Sequence, residues 1–287
     1  MKVFLFSIDL EDVRFRVPGG EQYAGRVPAM TERYLAFLEQ HSMKATFFTV
    51  GDVAEKYPKL IRRIVDSGHE IACHSHMHIT LDQHTPASFR EDLLRNIKAL
   101  TKAGATNIKG FRAPTFSLTE RTAWAYEVLK ELGFEYSSSV LPARNPLFGW
   151  EAFGAAPKWM NGVWEIPMSI YRSWPLSTPV GGGVYFRVLP FGWVRRGFHY
   201  HVSRHEPVLG YFHPYDIDTE QERFMHPEIN ESRFYNFLLF YNRKSTILRL
   251  EKILASGVTI MPYIDYVNQQ LNTEFNTNSA PGGKRCC

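Results

Sequence analysis

Cysteine is scarce in this chain, with three among 287 residues, and that excludes the disulfide framework of a small secreted scaffold. Cys73 falls in a segment that reads as a buried strand, so a reducing compartment fits. Also missing is any uninterrupted apolar run long enough to cross a bilayer. The opening Met1-Lys2-Val3-Phe4-Leu5-Phe6-Ser7-Ile8-Asp9 meets acid too soon for the apolar centre of a secretory signal, and a cytoplasmic protein is the expectation. No excess of one charge stands out. The 33 Lys and Arg against 29 Asp and Glu leave +4, and the densest basic pairs, Arg62-Arg63 and Arg195-Arg196, are too short for a nucleic-acid footprint. The run Gly181-Gly182-Gly183 lacks the Gly-Lys-Ser/Thr of a phosphate loop. Cys286-Cys287 can be read as a lipidation signal, although an unstructured tail is the simpler reading.

What the chain does have is an alternation of strand and helix patterns. At 44% hydrophobic it can bury a full core. Strand-like runs at residues 2–8, 45–50, 70–73, 108–111, 134–138, 207–212 and 258–261 are separated by amphipathic stretches, the clearest at 28–41, 51–67 (interrupted by Pro58), 87–103, 119–132, 190–203, 231–256 and 262–271. Residues 14–26 read as a loop. Between 141 and 192 the pattern dissolves into Pro, Gly and aromatics, with only 163–167 strand-like; its tryptophans could form a small local core or stack on sugar rings. The expectation is one domain over 1–271 with an insertion at 141–192 and a disordered tail at 272–287. Alternating strands and helices suggest a parallel barrel or an open sheet.

Reactive side chains gather at the C-terminal ends of those strands. The first strand runs into Asp9-Leu10-Glu11-Asp12, three carboxylates that repel one another unless a cation or a shared proton intervenes. The third ends in His74-Ser75-His76-Met77-His78. Two imidazoles four apart can meet one divalent metal if the loop turns back in a helical arc; a solvated histidine loop is the plain alternative. Arg112 and His213 close two further strands. In a parallel arrangement all these ends share one face, where sites are built. Side chains two apart on a strand also share a face, which favours Glu11 over Asp12 as the companion of Asp9.

With these motifs in view, the chain resembles the polysaccharide deacetylases, carbohydrate esterases that share the NodB homology domain. The resemblance covers most of residues 3–270. It rests on Ser7-Ile8-Asp9-Leu10-Glu11-Asp12, on a His-Ser-x-x-His pattern at His74–His78, and on Arg112-Ala113-Pro114, Tyr136-Ser137-Ser138-Ser139-Val140 and Phe212-His213-Pro214. The stretch from Val180 to Pro190 looks like the branch encoded in bacterial exopolysaccharide and cell-surface glycan loci. The resemblance implies a distorted (β/α) barrel of about seven parallel strands. It also implies one divalent metal held by His74, His78 and Glu11, with Asp12 as the alternative carboxylate. Zinc is the first expectation, and cobalt, nickel or iron(II) suit the same donors. Asp9 would be the catalytic base, Arg112 its orienting partner and His213 the acid. One departure is Ser137, where the family usually has an aspartate that pairs with the histidine acid. Asp216, Asp218 and Glu135 are the candidates to replace it.

The activity so implied is N-deacetylation of an acetamido sugar in a glycan, a lipid-linked oligosaccharide or a sugar nucleotide. Three alternatives stand beside it: an amidohydrolase of the same fold acting on a small non-sugar amide, a non-catalytic carbohydrate-binding relative, and an iron oxygenase with two histidines and one carboxylate. The alternating strand and helix pattern opposes the last.

Overall fold

The structure, a computed structural model, describes residues 2–145, 148–174, 176–227, 229, 231–273 and 275. Every side chain from residue 3 to residue 10 is buried, as expected of strands covered on both faces. This opening segment forms two strands, β1 (Val3–Leu5) and β2 (Ser7–Leu10), divided at Phe6, whose N–H donates back to Phe4 O at 2.8 Å. The division lets one stretch of chain serve two sets of neighbours.

On one side β2 pairs in parallel with β3 (Thr46–Thr49), then come β4 (Glu70–Cys73), β5 (Gly110–Phe111) and β6 (Tyr136–Ser137). A hairpin of β7 (Lys158–Met160) and β8 (Val163–Glu165) completes that sheet, with β8 parallel to β6 and β7 antiparallel at the outer edge. A separate antiparallel pair, β9 (Ile170–Ser173) and β10 (Leu176–Pro179), follows. The half-strand β1 lies between β11 (Val208–Leu209) and β12 (Thr259–Ile260), parallel to both. Ile8 bridges Phe212 in parallel, so β2 is flanked on its second side too. A side chain from the segment after β8 spans the seam to β11: Ser169 Oγ donates to Pro207 O at 3.2 Å and accepts from Leu209 N at 3.0 Å. The result is an α/β barrel of mostly parallel strands, distorted at that seam.

Helices cover the outside. In α1 (Val27–Gln40), Pro28 sits in the first turn, and Tyr34 and Phe37 pack their rings 6.0 and 6.4 Å from Phe6. The next amphipathic stretch divides at Pro58 into α2 (Gly51–Lys56) and α3 (Pro58–Asp66), since proline has no N–H to continue the ladder. The Thr85/Ser88 capping box opens α4 (Pro86–Ala103), and Gly104 at φ 109° closes it, a conformation that favours glycine. Five more follow: α5 (Ala125–Glu131), α6 (Gly183–Val188), α7 (Phe191–Ser203), α8 (Arg233–Phe240) and α9 (Thr246–Leu254). The short α10 (Tyr263–Tyr266) brings Tyr263 into the barrel centre, fully buried. Among the described residues no helix is long and apolar enough to cross a membrane.

Three expectations change. The insertion at 141–192 is more ordered than its composition suggests, containing β7 to β10 and α6. The long helix expected over 231–256 is broken, because Asn242 adopts a left-handed φ of 56° and Arg243 turns inward to donate to Leu239 O and Asp218 O. The start of the expected tail is packed: Trp164 Nε1 donates to Asn272 Oδ1 at 2.9 Å, and the Phe275 ring lies 5.3 Å from Trp159. Cys286, Cys287 and most of that tail lie outside the described residues.

Candidate active site

The site lies where β2, β4, β5 and the segment after β11 end. His74 directly follows β4. Its Nδ1–H donates to Arg112 O at 2.8 Å, and because a carbonyl can only accept, the lone pair is on Nε2. Burial lowers its pKa to about 4 despite the nearby Asp9 carboxylate, so the ring is neutral at physiological pH.

The loop back to His78 is not the helical arc expected. Ser75 and His78 both take left-handed φ values, 62° and 55°, and Ser75 Oγ accepts the His78 N–H at 2.9 Å. Asp92 on α4 fixes the loop from outside by accepting from His76 N at 2.6 Å and Met77 N at 3.3 Å, and Asn96 donates to Ser75 O and Thr49 O. A side chain at Gly51 would meet His76 Nδ1 at 2.1 Å, so the loop needs that glycine. The two imidazoles end with ring centres 5.0 Å apart.

Glu11 reaches the same place. Its Oε2 is 3.1 Å from His78 Nε2 and its Oε1 3.6 Å from His213 Nε2. Burial pushes this carboxyl up, but Arg16, then His78, His213 and His74, pull it well below the usual range. Asp12 is used elsewhere. It caps the turn at Val13–Arg16 and binds Arg14 through both oxygens, at 2.9 and 2.6 Å, with Tyr57 OH at 3.3 Å. Of the two carboxylates weighed, the one beside His78 is Glu11.

Asp9 lies beneath, 3% exposed, with Oδ1 2.6 Å from Arg112 Nη1. Arg112 is itself 1% exposed and spends all five N–H groups: Nε on Ser138 O, Nη1 on Ser7 Oγ and Asp9, Nη2 on Ser138 Oγ and Tyr263 OH. Its guanidinium stacks 4.0 Å from the Phe48 ring centre. A cation so held cannot swing away from Asp9.

His213 opens the turn Pro214–Ile217. Its Nδ1 donates to Asp216 Oδ2 at 3.0 Å, the same oxygen accepts the His213 N–H at 2.8 Å, and Arg187 Nη2 holds Asp216 Oδ1 at 2.9 Å. Burial works against charge on the imidazole, but the Asp216 bond and charge, helped by Glu11, raise its pKa to about 9. Asp216, which burial alone would raise, is drawn down to about 2 by Arg187 and His213. Tyr215 stacks on the imidazole at 4.5 Å and 7°. Of the three replacements considered for the aspartate absent at Ser137, Asp216 is the one on His213; Asp218 pairs with Arg26 and Glu135 with Lys109. Ser137 Oγ is 2.7 Å from Ser139 Oγ.

The donor chemistry fits a divalent ion. Two donors about 2.1 Å from one tetrahedral ion stand about 3.4 Å apart, a few tenths of an ångström beyond the Glu11–His78 separation, and His74 offers a lone pair fixed by a backbone carbonyl. Among the described residues no group of three or more His, Cys, Asp or Glu side chains is arranged to hold a metal ion as it stands; Arg16 Nη2 sits 2.6 Å from Glu11 Oε2. Sequence reasoning missed Arg187, Tyr263 and Arg16. Only their place in the fold identifies them, since none belongs to a spaced motif.

Residues 19–137 match the polysaccharide deacetylase family, and residues 138–259 match a domain of unknown function. The first segment contains His74, His78 and Arg112, the second His213. A peptidoglycan-N-acetylglucosamine deacetylase of Bacillus cereus is 33% identical over 98 residues, 34% of this chain and 36% of that protein. A chitooligosaccharide deacetylase of a Bradyrhizobium species is 38% identical over 79 residues, 28% of this chain and 36% of that protein. The matched segment thus spans about a third of these relatives. Among solved structures, a Mycobacterium smegmatis protein assigned to the polysaccharide deacetylases superposes with a TM-score of 0.63 at 17% identity, covering 95% of this chain and 91% of the other. The allantoinase PuuE superposes at 0.58 with 16% identity, covering 93% and 91%. At those identities the likeness concerns the fold.

Proposed function

We propose that this chain, which belongs to the polysaccharide deacetylase family, is a metal-dependent hydrolase that removes N-acetyl groups from an acetamido sugar in a glycan, a lipid-linked oligosaccharide or a sugar nucleotide. The observation that carries the reading is one cluster holding Glu11, His78 and His213 within 3.1 and 3.6 Å, with His74 beside it. The relatives named as peptidoglycan and chitooligosaccharide deacetylases support the substrate class. We read residues 1–271 as one domain, because the sheet from β2 to β8 runs across both family-matched segments.

Amide hydrolysis needs a polarised carbonyl, a deprotonated water and a protonated leaving nitrogen. A divalent ion on Glu11, His74 and His78, zinc first among the candidates, supplies the polarisation and acidifies water when bound. Asp9, paired with Arg112 at 2.6 Å and fixed in direction by it, is the group that takes the water proton. His213 holds a proton on Nε2 because Asp216 accepts the one on Nδ1, so the departing amine meets a donor. A cation on Glu11 would draw the His213 pKa down from about 9, towards the range where a proton is both held and released. Tyr215 restricts the imidazole by stacking.

The test is acetate release from a panel of N-acetylated oligosaccharides, lipid-linked saccharides and sugar nucleotides, with and without chelator. Chelator-sensitive release from at least one class is expected. Turnover confined to small ureides would move the activity to the amidohydrolase alternative, and specific glycan binding without acetate release would leave only a carbohydrate-binding protein.

A further inference from the structure

The group that meets Glu11 most closely is a cation. Arg16 Nη2 lies 2.6 Å from Glu11 Oε2, the oxygen that is also 3.1 Å from His78 Nε2. Both members of the ion pair are withdrawn from water, at 16% and 3% exposure, so their charges are poorly screened.

The backbone that carries Arg16 is pinned. Arg14 binds Asp12 and donates to Tyr23 O at 2.6 Å. Val17 N bonds Arg14 O at 3.1 Å and Gly20 N bonds Val17 O at 2.8 Å. Gly20 packs so tightly that a side chain there would come within 2.0 Å of Arg14 O. Release of Glu11 therefore calls for rotation of the Arg16 side chain, with no opening of the loop. Asp52, at the start of α2, is near enough for the Arg16 charge to act on it. Burial raises its carboxyl to about 6, Arg16 is the charge that most opposes that rise, and its Oδ1 is buried without a hydrogen bond.

A doubly charged ion at ordinary coordination distance from Glu11 Oε2 would stand a few ångströms from the guanidinium, and in so dry a site the two repel strongly. We propose that Arg16 is a resident counter-cation that competes with the divalent ion for Glu11 Oε2, so that Arg16–Glu11 pairing and metal binding exclude each other and Arg16 sets the metal affinity of the site. This rests on the reading of Glu11, His74 and His78 as the donors. Two consequences are opposite in sign. Without Arg16 the metal-free protein loses the nearest counter-charge of a buried carboxylate, keeping only the more distant His213, and is less stable. The same protein binds metal more tightly, because nothing has to be displaced.

The experiment uses the full chain as wild type, Arg16→Gln, Arg16→Lys and His78→Ala, each stripped by chelator and titrated with cobalt(II) against a chromophoric competitor, with thermal unfolding recorded before and after loading. Arg16→Gln is expected to bind cobalt about tenfold more tightly than wild type. Its melting temperature should lie below wild type when metal-free, and the gap should close on loading. If Arg16→Gln does not fold, Arg16→Lys, with the charge kept and the planar fork lost, should bind more tightly than wild type by a smaller factor. Equal or weaker cobalt affinity in the folded variant, with binding still lost in His78→Ala, overturns the competition alone. No cobalt binding in any protein overturns both it and the donor assignment.

Discussion

His213 Nδ1 lies 3.0 Å from Asp216 Oδ2, three residues ahead in the same tight turn, and Arg187 closes the far side of that carboxylate at 2.9 Å. The turn thus gives His213 its own counter-charge, where the resembled family draws an aspartate from another strand. Asp216 stays ionised because Arg187 is fully buried and has no water to share its charge with.

Replacing Asp216 with Asn should therefore move the alkaline limb of the activity profile. The folded pKa of His213, about 9, lies above its ordinary value of 6.5, so the protonated form and the stability it brings are complete below 6.5 and lost as pH rises through 9. Asp216 runs the other way. Its contribution is present above 3.8 and lost as pH falls through about 2. In Asp216→Asn the alkaline limb should fall by roughly one to two pH units, towards an ordinary histidine. A pH profile of kcat/KM checks this; an unmoved limb would show that Asp216 does not govern the proton on His213.

Arg112 gives a stability prediction. With five N–H groups bonded and Asp9 buried against it, Arg112→Met leaves an unpaired carboxylate in the barrel and should cost about 3–5 kcal/mol. Denaturant unfolding measures it. Asp9→Asn in the same background should recover part of the loss, since the stranded charge is gone.

Glu70 offers a pH effect away from the site. Its carboxyl accepts from Thr46 Oγ1, Tyr136 OH and Ile264 N, yet burial outweighs these bonds and raises its pKa from 4.5 to about 7. A carboxyl raised on folding favours the native state while it keeps its proton, so its contribution shrinks as pH rises from 4.5 to 7 and is level beyond. Glu70→Gln has no such slope. Relative to wild type, its melting temperature should improve between pH 5 and pH 8; a difference that stays constant with pH would contradict the raised pKa.

Much of this site was legible in the chain because strand ends advertise themselves. Asp9, His74, Arg112 and His213 each stand at the end of a strand-like run, and parallel pairing alone carries four such ends to one face. Glu11 could be favoured over Asp12 by strand alternation, but what turns Asp12 away is its cap on a 3-10 turn and its hold on Arg14, and no period of the sequence records that. Arg187 stands 26 positions ahead of His213 in a glycine-rich stretch without helical periodicity. Its role depends on α6 forming where composition suggested loop. The break at Asn242 was hidden for the opposite reason: apolar residues continue at helical spacing across it, and one left-handed residue overrides them.

The most direct measurement is acetate release by one preparation of wild type taken through chelator treatment and zinc restoration, beside His78→Ala taken through the same cycle. Wild type should lose activity on stripping and regain it with one zinc per chain, while His78→Ala, correctly folded, should stay inactive throughout and retain no stoichiometric zinc. Deacetylation that survives stripping, or that His78→Ala performs at the wild-type rate, would contradict the account.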